Sequence, residues 1–198
     1  MIDWEGVLDS FPKVPGVSIT QKVDSLNMAR DRFLIGAFTG LRVSDFTRIS
    51  EANIKDNFIR IKPMKGANKT EDVIIPLHPV ILELMNTGFD FDAKVYDQKI
   101  NKHIKDVCMM AGINELVTIT RTEGGEKKDT TLPKYKLITT HTARRSAATN
   151  MYKAGIPSLS IMKITGHRTE RSFLKYIKIT AEENATMLSQ HKFFTDWG

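Results

Sequence analysis

Residues 140–176 read THTARRSAATNMYKAGIPSLSIMKITGHRTERSFLKY. Threonines, a serine and glycines divide this stretch into short helices. Thr140 can cap a helix from His141 to Ala154 that stops at Gly155, and Ser158 opens a second to Thr165 that stops at Gly166. A third runs from Thr169 to Ile179. Hydroxyl oxygens satisfy the free N–H groups at helix starts, and glycine takes the left-handed conformation that ends them. His141 and Arg144 share one face of a helix N-terminus, where unpaired N–H groups and the dipole favour an anion. Viewed alone, a solvated basic turn explains that pair equally well. Gly166-His167-Arg168 and Tyr176, nine residues after His167, are each individually compatible with packing or solvation.

Working back toward the N-terminus, Asp24 reads as an N-cap. Leu26, Ala29, Phe33, Leu34, Ala37 and Phe38 then recur at helical spacing until Gly40. A short helix is expected over Val43–Ile49, followed by a β-hairpin from Asn57–Ile61 and Asp72–Pro76 around a Gly/Asn/Lys-rich turn. Helices are expected at His78–Thr87 and Gln98–Ala111, the latter with a stripe of Ile100, Ile104, Val107, Cys108 and Ala111. Leu116–Thr120 and Tyr135–Ile138 bracket a charged, glycine-containing segment, Thr122–Thr131, and predict a second hairpin with a long mobile tip. Ala181–His191 predicts a last helix. The fold class is therefore α+β, mainly helical, with small antiparallel β-hairpins. Residues 1–19, with Pro12, Pro15 and Gly16, read as a lead-in or linker, 20–180 as one domain, and 181–198 as a C-terminal tail helix.

Composition narrows the partners. Twenty-nine Lys and Arg against 23 Asp and Glu give a net charge of +6, which favours a polyanion without naming one. Cys108 is the sole cysteine, so neither a disulfide framework nor a cysteine-based zinc site can form within the chain. His78, His103 and His191 lack the paired spacing of a metal site. No apolar run approaches the ~20 residues that span a bilayer, and Met1–Pro15 lacks the features of a signal peptide, so a soluble, unexported protein is expected.

Taken together, the order Arg, Lys, His-x-x-Arg, Gly-His, Tyr resembles the active site of the tyrosine recombinase, or phage integrase, family. Three features carry the resemblance: Thr39-Gly40-Leu41-Arg42-Val43-Ser44-Asp45, the interval of 23 from Arg144 to His167, and the interval of nine from His167 to Tyr176. It runs from about Asp24 to Tyr176. His-Thr-Ala-Arg-Arg-Ser at 141–146 and the inserted second hairpin look closest to integrases of bacterial mobile elements of the Bacteroides type.

The resemblance implies that Arg42 and Arg144 clamp the scissile phosphate, with His141 and His167 as further hydrogen-bonding partners. The residue types suit the task, because a guanidinium is always charged and its fork fits two phosphate oxygens. Asp45 resembles the acid that orients the first arginine, although an acid at a helix start is an ordinary occurrence. In the family a hairpin lysine protonates the leaving 5′ oxygen. Lys62, Lys65 and Lys69 are available, Lys69 is preferred for its Lys69-Thr70 pair before the second strand, and Lys65 is the alternative. Tyr176 is the implied nucleophile. Tyr96 and Tyr135 fall outside the motif, and Tyr152 on the His141 helix reads as a core residue. Arg145 and Arg168 adjoin these positions as DNA-binding candidates or as solvated residues.

The implied activity is cutting and rejoining of double-stranded DNA at specific sites through a 3′-phosphotyrosyl link, without metal or nucleotide cofactor, in a tetramer on a DNA synapse. A bacterial cytoplasmic, nucleoid-associated setting follows. The family also carries an upstream helical domain, so the chain reads as a fragment, with the tail at 181–198 docking on a neighbouring protomer or packing in cis. Two other readings stand beside it: a type IB topoisomerase, against which the short step from Gly166-His167 to Tyr176 argues, and a catalytically retired DNA-binding module.

Overall fold

The computed structural model describes residues 19–64 and 72–195. Helix α1 spans Ile19–Thr39, starting earlier than expected, so that Asp24 lies inside the helix and does not cap it. It ends at Gly40, whose φ of 69° is left-handed. A one-turn helix, α2 (Val43–Phe46), and a 3-10 turn (Glu51–Asn53) lead into a small sheet. Its strands are β1 (Ile54–Lys55), β2 (Phe58–Ile61) and β3 (Val73–Pro76), in antiparallel order β1-β2-β3. The β2–β3 pair is the expected hairpin, in register Ile59↔Ile75 and Ile61↔Val73. β1 is an addition, two residues long and too short for a periodic signal.

Helices α3 (Pro79–Asn86) and α4 (Asp97–Met110) follow, the former capped by His78, whose Nδ1 accepts the Val80 N–H at 3.2 Å. The second hairpin has the expected first strand but a different partner. β4 (Leu116–Glu123) pairs along its whole length with β5 (Glu126–Pro133), the segment expected to form a mobile tip. Gly124 and Gly125 form its two-residue turn, with φ of 62° and 87°. Polar residues hold the strands together where both faces meet solvent: Thr118 and Thr131 hydroxyls lie 2.9 Å apart, and Thr120 donates to Asp129 at 2.6 Å. Tyr135–Ile138 is not a strand. Pro133 has no N–H to extend a ladder, and Lys134–Leu137 instead form a 3-10 turn that lays Tyr135 and Ile138 against Leu26, Ile104 and Val107.

Helix α5 (Thr140–Lys153) is capped one residue earlier than expected, by a reciprocal pair between Thr139 and Thr142. After it come α6 (Ser158–Thr165), α7 (Glu170–Leu174), α8 (Ala181–Ser189) and α9 (Lys192–Thr195). α7 stops five residues before the expected Ile179, so Tyr176 sits in the turn after it and not within a helix.

Three apolar clusters hold these elements together. The largest joins α1, α2, the three-stranded sheet and α3 through Ile35, Phe46, Ile59, Ile75 and Ile81, and α1 closes a second with α4. A third, of Ala148, Ile161 and Phe173, binds α5, α6 and α7, with Tyr176 and Ile177 packed against it. Arg32, fully buried in α1, donates to the carbonyls of Phe91 at 2.7 Å and Ala93 at 2.9 Å, and so fixes the connection into α4. Among the described residues no helix is long and apolar enough to cross a membrane.

Candidate active site

Four helix ends meet at one place: the C-terminus of α1, the N-terminus of α5, the C-terminus of α6 and the turn after α7. Arg144, in the second turn of α5, is 3% exposed. Its Nη1 donates to Gly40 O at 2.8 Å, and its Nη2 donates to Thr165 O. Nε is buried with no hydrogen-bond partner. Burial, and secondly the neighbouring Arg42 guanidinium, lower its pKa to about 10, against an opposing contribution from Tyr176. It therefore remains a cation at neutral pH, held by main-chain carbonyls that leave its charge uncancelled.

Arg42, at the start of α2, donates from Nη2 to Gly166 O at 3.5 Å. Both anchoring turns need glycine. Gly166 has a φ of 63°, and a Cβ there would lie 3.3 Å from Arg42 Nη1; a Cβ on Gly40 would lie 3.1 Å from Met151 Cε.

His167 follows Gly166 directly, and its Nδ1 lies 2.7 Å from Thr165 Oγ1. The Thr165 hydroxyl donates its single proton to Ile161 O at 2.7 Å, which assigns Nδ1 as the N–H and leaves Nε2 as an acceptor. Burial, then Arg144 and Arg42, lower the His167 pKa to about 4, so the ring is neutral at pH 7. His141, in the first turn of α5, has a pKa lowered by partial burial and by Arg145 and Arg144.

The Tyr176 ring stands between these groups. Its centroid is 4.5 Å from that of His167 and 5.2 Å from that of His141, both edge-on, and Arg144 Cζ lies 5.8 Å from it. A cleft of about 370 Å³ opens beside them, lined by Arg42, Ser44, Asp97, Thr140, His141, Arg144 and Tyr176. Such a site can hold a tetrahedral anion between two guanidiniums and the N–H groups of α5, with a phenol at its edge.

Asp45 is 1% exposed, and its carboxylate accepts the Met64 N–H at 2.9 Å and Arg48 Nη2 at 3.3 Å. It thus secures the chain leaving β2, and its field also bears on Arg144. Arg145 is exposed and faces a separate groove behind Tyr176. Arg168 is exposed in the bend after His167. Lys65 and Lys69 lie outside the described residues. Among the described residues no cluster of three or more His, Cys, Asp or Glu is placed to hold a metal ion.

The model of the phage integrase family matches residues 18–183. The chain belongs to the phage integrase family. No curated protein matches it in sequence. Among solved structures it is similar to the XerA recombinase, at 17% identity and a TM-score of 0.58 over 91% of this chain and 66% of that one. It is also similar to the XerH site-specific recombinase in a post-cleavage complex with palindromic difH substrate, at 14% identity and a TM-score of 0.54 over 94% and 49%. A third is a lambda integrase dimer bound to a COC′ core site, at 15% identity and a TM-score of 0.53 over 85% and 62%. The chain thus spans about half to two thirds of these proteins, and it shares the fold of tyrosine recombinase catalytic domains.

Within this phage integrase domain, sequence reading missed Thr165, Asp97 and Ser44. Thr165 carried a signal, standing two residues before His167 at the end of a helix. Ser44 stood within the Thr39–Asp45 motif beside Arg42, whereas Asp97 carried none, because only the fold brings it to the cleft.

Proposed function

We propose that this protein is a site-specific DNA recombinase in which Tyr176 attacks a backbone phosphorus of double-stranded DNA. The observation that carries this reading is the Tyr176 ring lying against Arg144, His141 and His167, at a cleft lined by Arg42, His141 and Arg144. The phenol oxygen forms the new P–O bond as the bond to the 5′ oxygen breaks, leaving a 3′-phosphotyrosine and a free 5′ hydroxyl. A 5′ hydroxyl of the partner strand then attacks the same phosphorus and expels the tyrosine, so the strands are exchanged without hydrolysis.

Arg42 and Arg144 neutralise the charge of the five-coordinate transition state. Neutral His167, with Nε2 as an acceptor beside the phenol, suits withdrawal of its proton, while His141 faces the phosphate from the α5 N-terminus. Lys69, or alternatively Lys65, protonates the leaving 5′ oxygen. Asp45 supports the arginine pocket from below, and Arg145 and Arg168 contact flanking phosphates. The reaction needs neither metal nor nucleotide, since the two guanidiniums supply the positive charge.

The finer reading is an integrase of a Bacteroides-type mobile element, supported by His-Thr-Ala-Arg-Arg-Ser at 141–146 and by the inserted β4–β5 hairpin. It acts in the bacterial cytoplasm on nucleoid DNA, as a homotetramer on paired recombination sites. Residues 20–180 are the catalytic domain, 1–19 a lead-in or linker, and 181–198 a C-terminal tail helix that docks on the next protomer or packs in cis. Phe193, 80% exposed, and Phe194, 54% exposed, support that last assignment.

The test is a nicked DNA carrying the cognate site, incubated with the protein and EDTA and run on a denaturing gel. Wild type gives a protein–DNA adduct, and Tyr176→Phe gives none. An adduct that persists in the mutant, or maps by peptide mass to Tyr152 or Tyr135, overturns the reading.

A further inference from the structure

A hydroxyl inside a helix ordinarily bonds back to the carbonyl four residues earlier. In this molecule Ser25, Thr39, Thr165 and Thr186 all do so, at 2.7–2.9 Å. Thr149, in the third turn of α5, does something else. Its Oγ1 donates to the carbonyl oxygen of Tyr176 at 3.1 Å, and Oγ1 itself accepts from the Lys178 N–H at 3.4 Å. One side chain thus grips the main chain on both sides of Ile177, at Tyr176 and Lys178, 27 and 29 residues away in sequence.

That grip falls on a segment that lies between two helices. α7 ends at Leu174, and α8 does not begin until Ala181, so Tyr176 stands in a turn closed by the Tyr176 N–H to Phe173 O at 2.8 Å. Beside that bond, Phe173 and Ile177 pack into the third apolar cluster. The turn is therefore fixed by two kinds of contact, the apolar cluster and the α5 hydroxyl. α5 is also the helix that carries His141 and Arg144.

We propose that Thr149 is a positioning residue for the nucleophile: its hydroxyl ties the Tyr176 main chain to α5 and so sets the phenol relative to the phosphate held by Arg144. This rests on Tyr176 being the attacking group. Reactivity at phosphorus demands a close, in-line approach, and a displacement near 1 Å costs about a hundredfold in rate. Thr149 touches neither the phosphate nor the phenol. Its loss therefore affects the rate of attack and spares DNA affinity, a division that a general loss of structure would not produce.

The test compares wild type, Thr149→Val, Thr149→Ser and Tyr176→Phe on a nicked substrate carrying the cognate site, at saturating protein. Valine keeps the shape and removes both hydrogen bonds, whereas serine keeps the hydroxyl. Adduct formation by Thr149→Val is expected to slow about ten- to a hundredfold, with DNA affinity and melting temperature close to wild type, and Thr149→Ser should recover most of the rate. Should valine unfold the protein, Thr149→Ala, which favours the helix, takes its place. The inference is overturned by a valine rate close to wild type, by an equal loss of DNA affinity, or by a serine variant as slow as valine. If wild type itself forms no adduct, or Tyr176→Phe still does, the reading of Tyr176 as nucleophile falls first and this inference with it.

Discussion

Arg144 reaches back 104 residues to bond the carbonyl oxygen of Gly40 at 2.8 Å. The first helix and the fifth are thereby joined at the point where the phosphate is proposed to sit. Burying a cation costs several kcal/mol unless its donors are satisfied. Here neutral carbonyls at Gly40 and Thr165 satisfy Nη1 and Nη2, though not Nε, so the charge stays available to an anion. A carboxylate in their place would satisfy the donors equally and cancel the charge the site needs.

Arg144→Lys tests that arrangement. An ammonium has no planar fork and cannot hold two carbonyls while presenting donors to a phosphate. The variant is expected to fold and to bind DNA, with adduct formation lowered about a hundredfold or more, by analogy with removal of one transition-state donor. Single-turnover cleavage alongside a binding isotherm checks it, and a rate near wild type would separate the fork from catalysis.

Gly40→Ala isolates the backbone contribution. A left-handed φ costs a non-glycine residue roughly 1–2 kcal/mol, and the new Cβ would also press on Met151 at 3.1 Å. A fall in melting temperature of about 2–8 °C is expected for a domain of this size. Gly112→Ala is the control, since it shares the left-handed φ but meets nothing within 4 Å. Calorimetry that ranks Gly40→Ala no worse than Gly112→Ala would remove the packing part of the argument.

His167 gives a dependence on pH. Its pKa is near 4 in the folded protein and near 6.5 when unfolded, so between those values the unfolded chain binds more protons. The His167 contribution to stability is therefore fully present above about pH 6.5 and lost as pH falls toward 4. His141 and His103 are shifted the same way and add to the effect. Wild type should lose more melting temperature between pH 7.5 and pH 5 than His167→Asn does. Parallel losses in the two proteins would mean that the ring is not held neutral by its surroundings.

The distribution of signals along the chain explains what could be read from sequence. Arg42, Arg144, His167 and Tyr176 stood out because each is tied by a fixed interval to a glycine or a helix end, and those punctuation marks survive in one dimension. The core helices were legible for the same reason, through apolar periodicity ended by Gly40, Gly112 and Gly155. The β4–β5 hairpin was misassigned because its strands beyond Thr120 have no apolar face, so the alternation that marks a half-buried strand is absent. The Thr149–Tyr176 bond could not be foreseen, because it depends on α7 stopping at Leu174 and turning the chain back over α5.

The last prediction concerns the proton given to the leaving oxygen. Lys65 and Lys69 both lie in the 65–71 connection between β2 and β3, and the chain entering it is secured where the Met64 N–H meets Asp45 at 2.9 Å. Asp45 is itself three residues beyond Arg42 and its field bears on Arg144, so Met64 is held near the proposed phosphate site. A general acid is needed in proportion to the basicity of the leaving group. An alkoxide is a poor leaving group without protonation, whereas a thiolate departs unaided, so a substrate with sulfur at the 5′ bridging position bypasses the acid. Lys69→Ala is expected to slow adduct formation on the oxygen substrate by about 10²- to 10⁴-fold, the usual range for acid–base catalysis, and to leave the 5′-phosphorothiolate rate within a few fold of wild type. The same pair of rates for Lys65→Ala should differ little from wild type. If Lys69→Ala slows both substrates equally, it acts on something other than the leaving group. A rescue by sulfur seen with Lys65→Ala instead would transfer the role to Lys65.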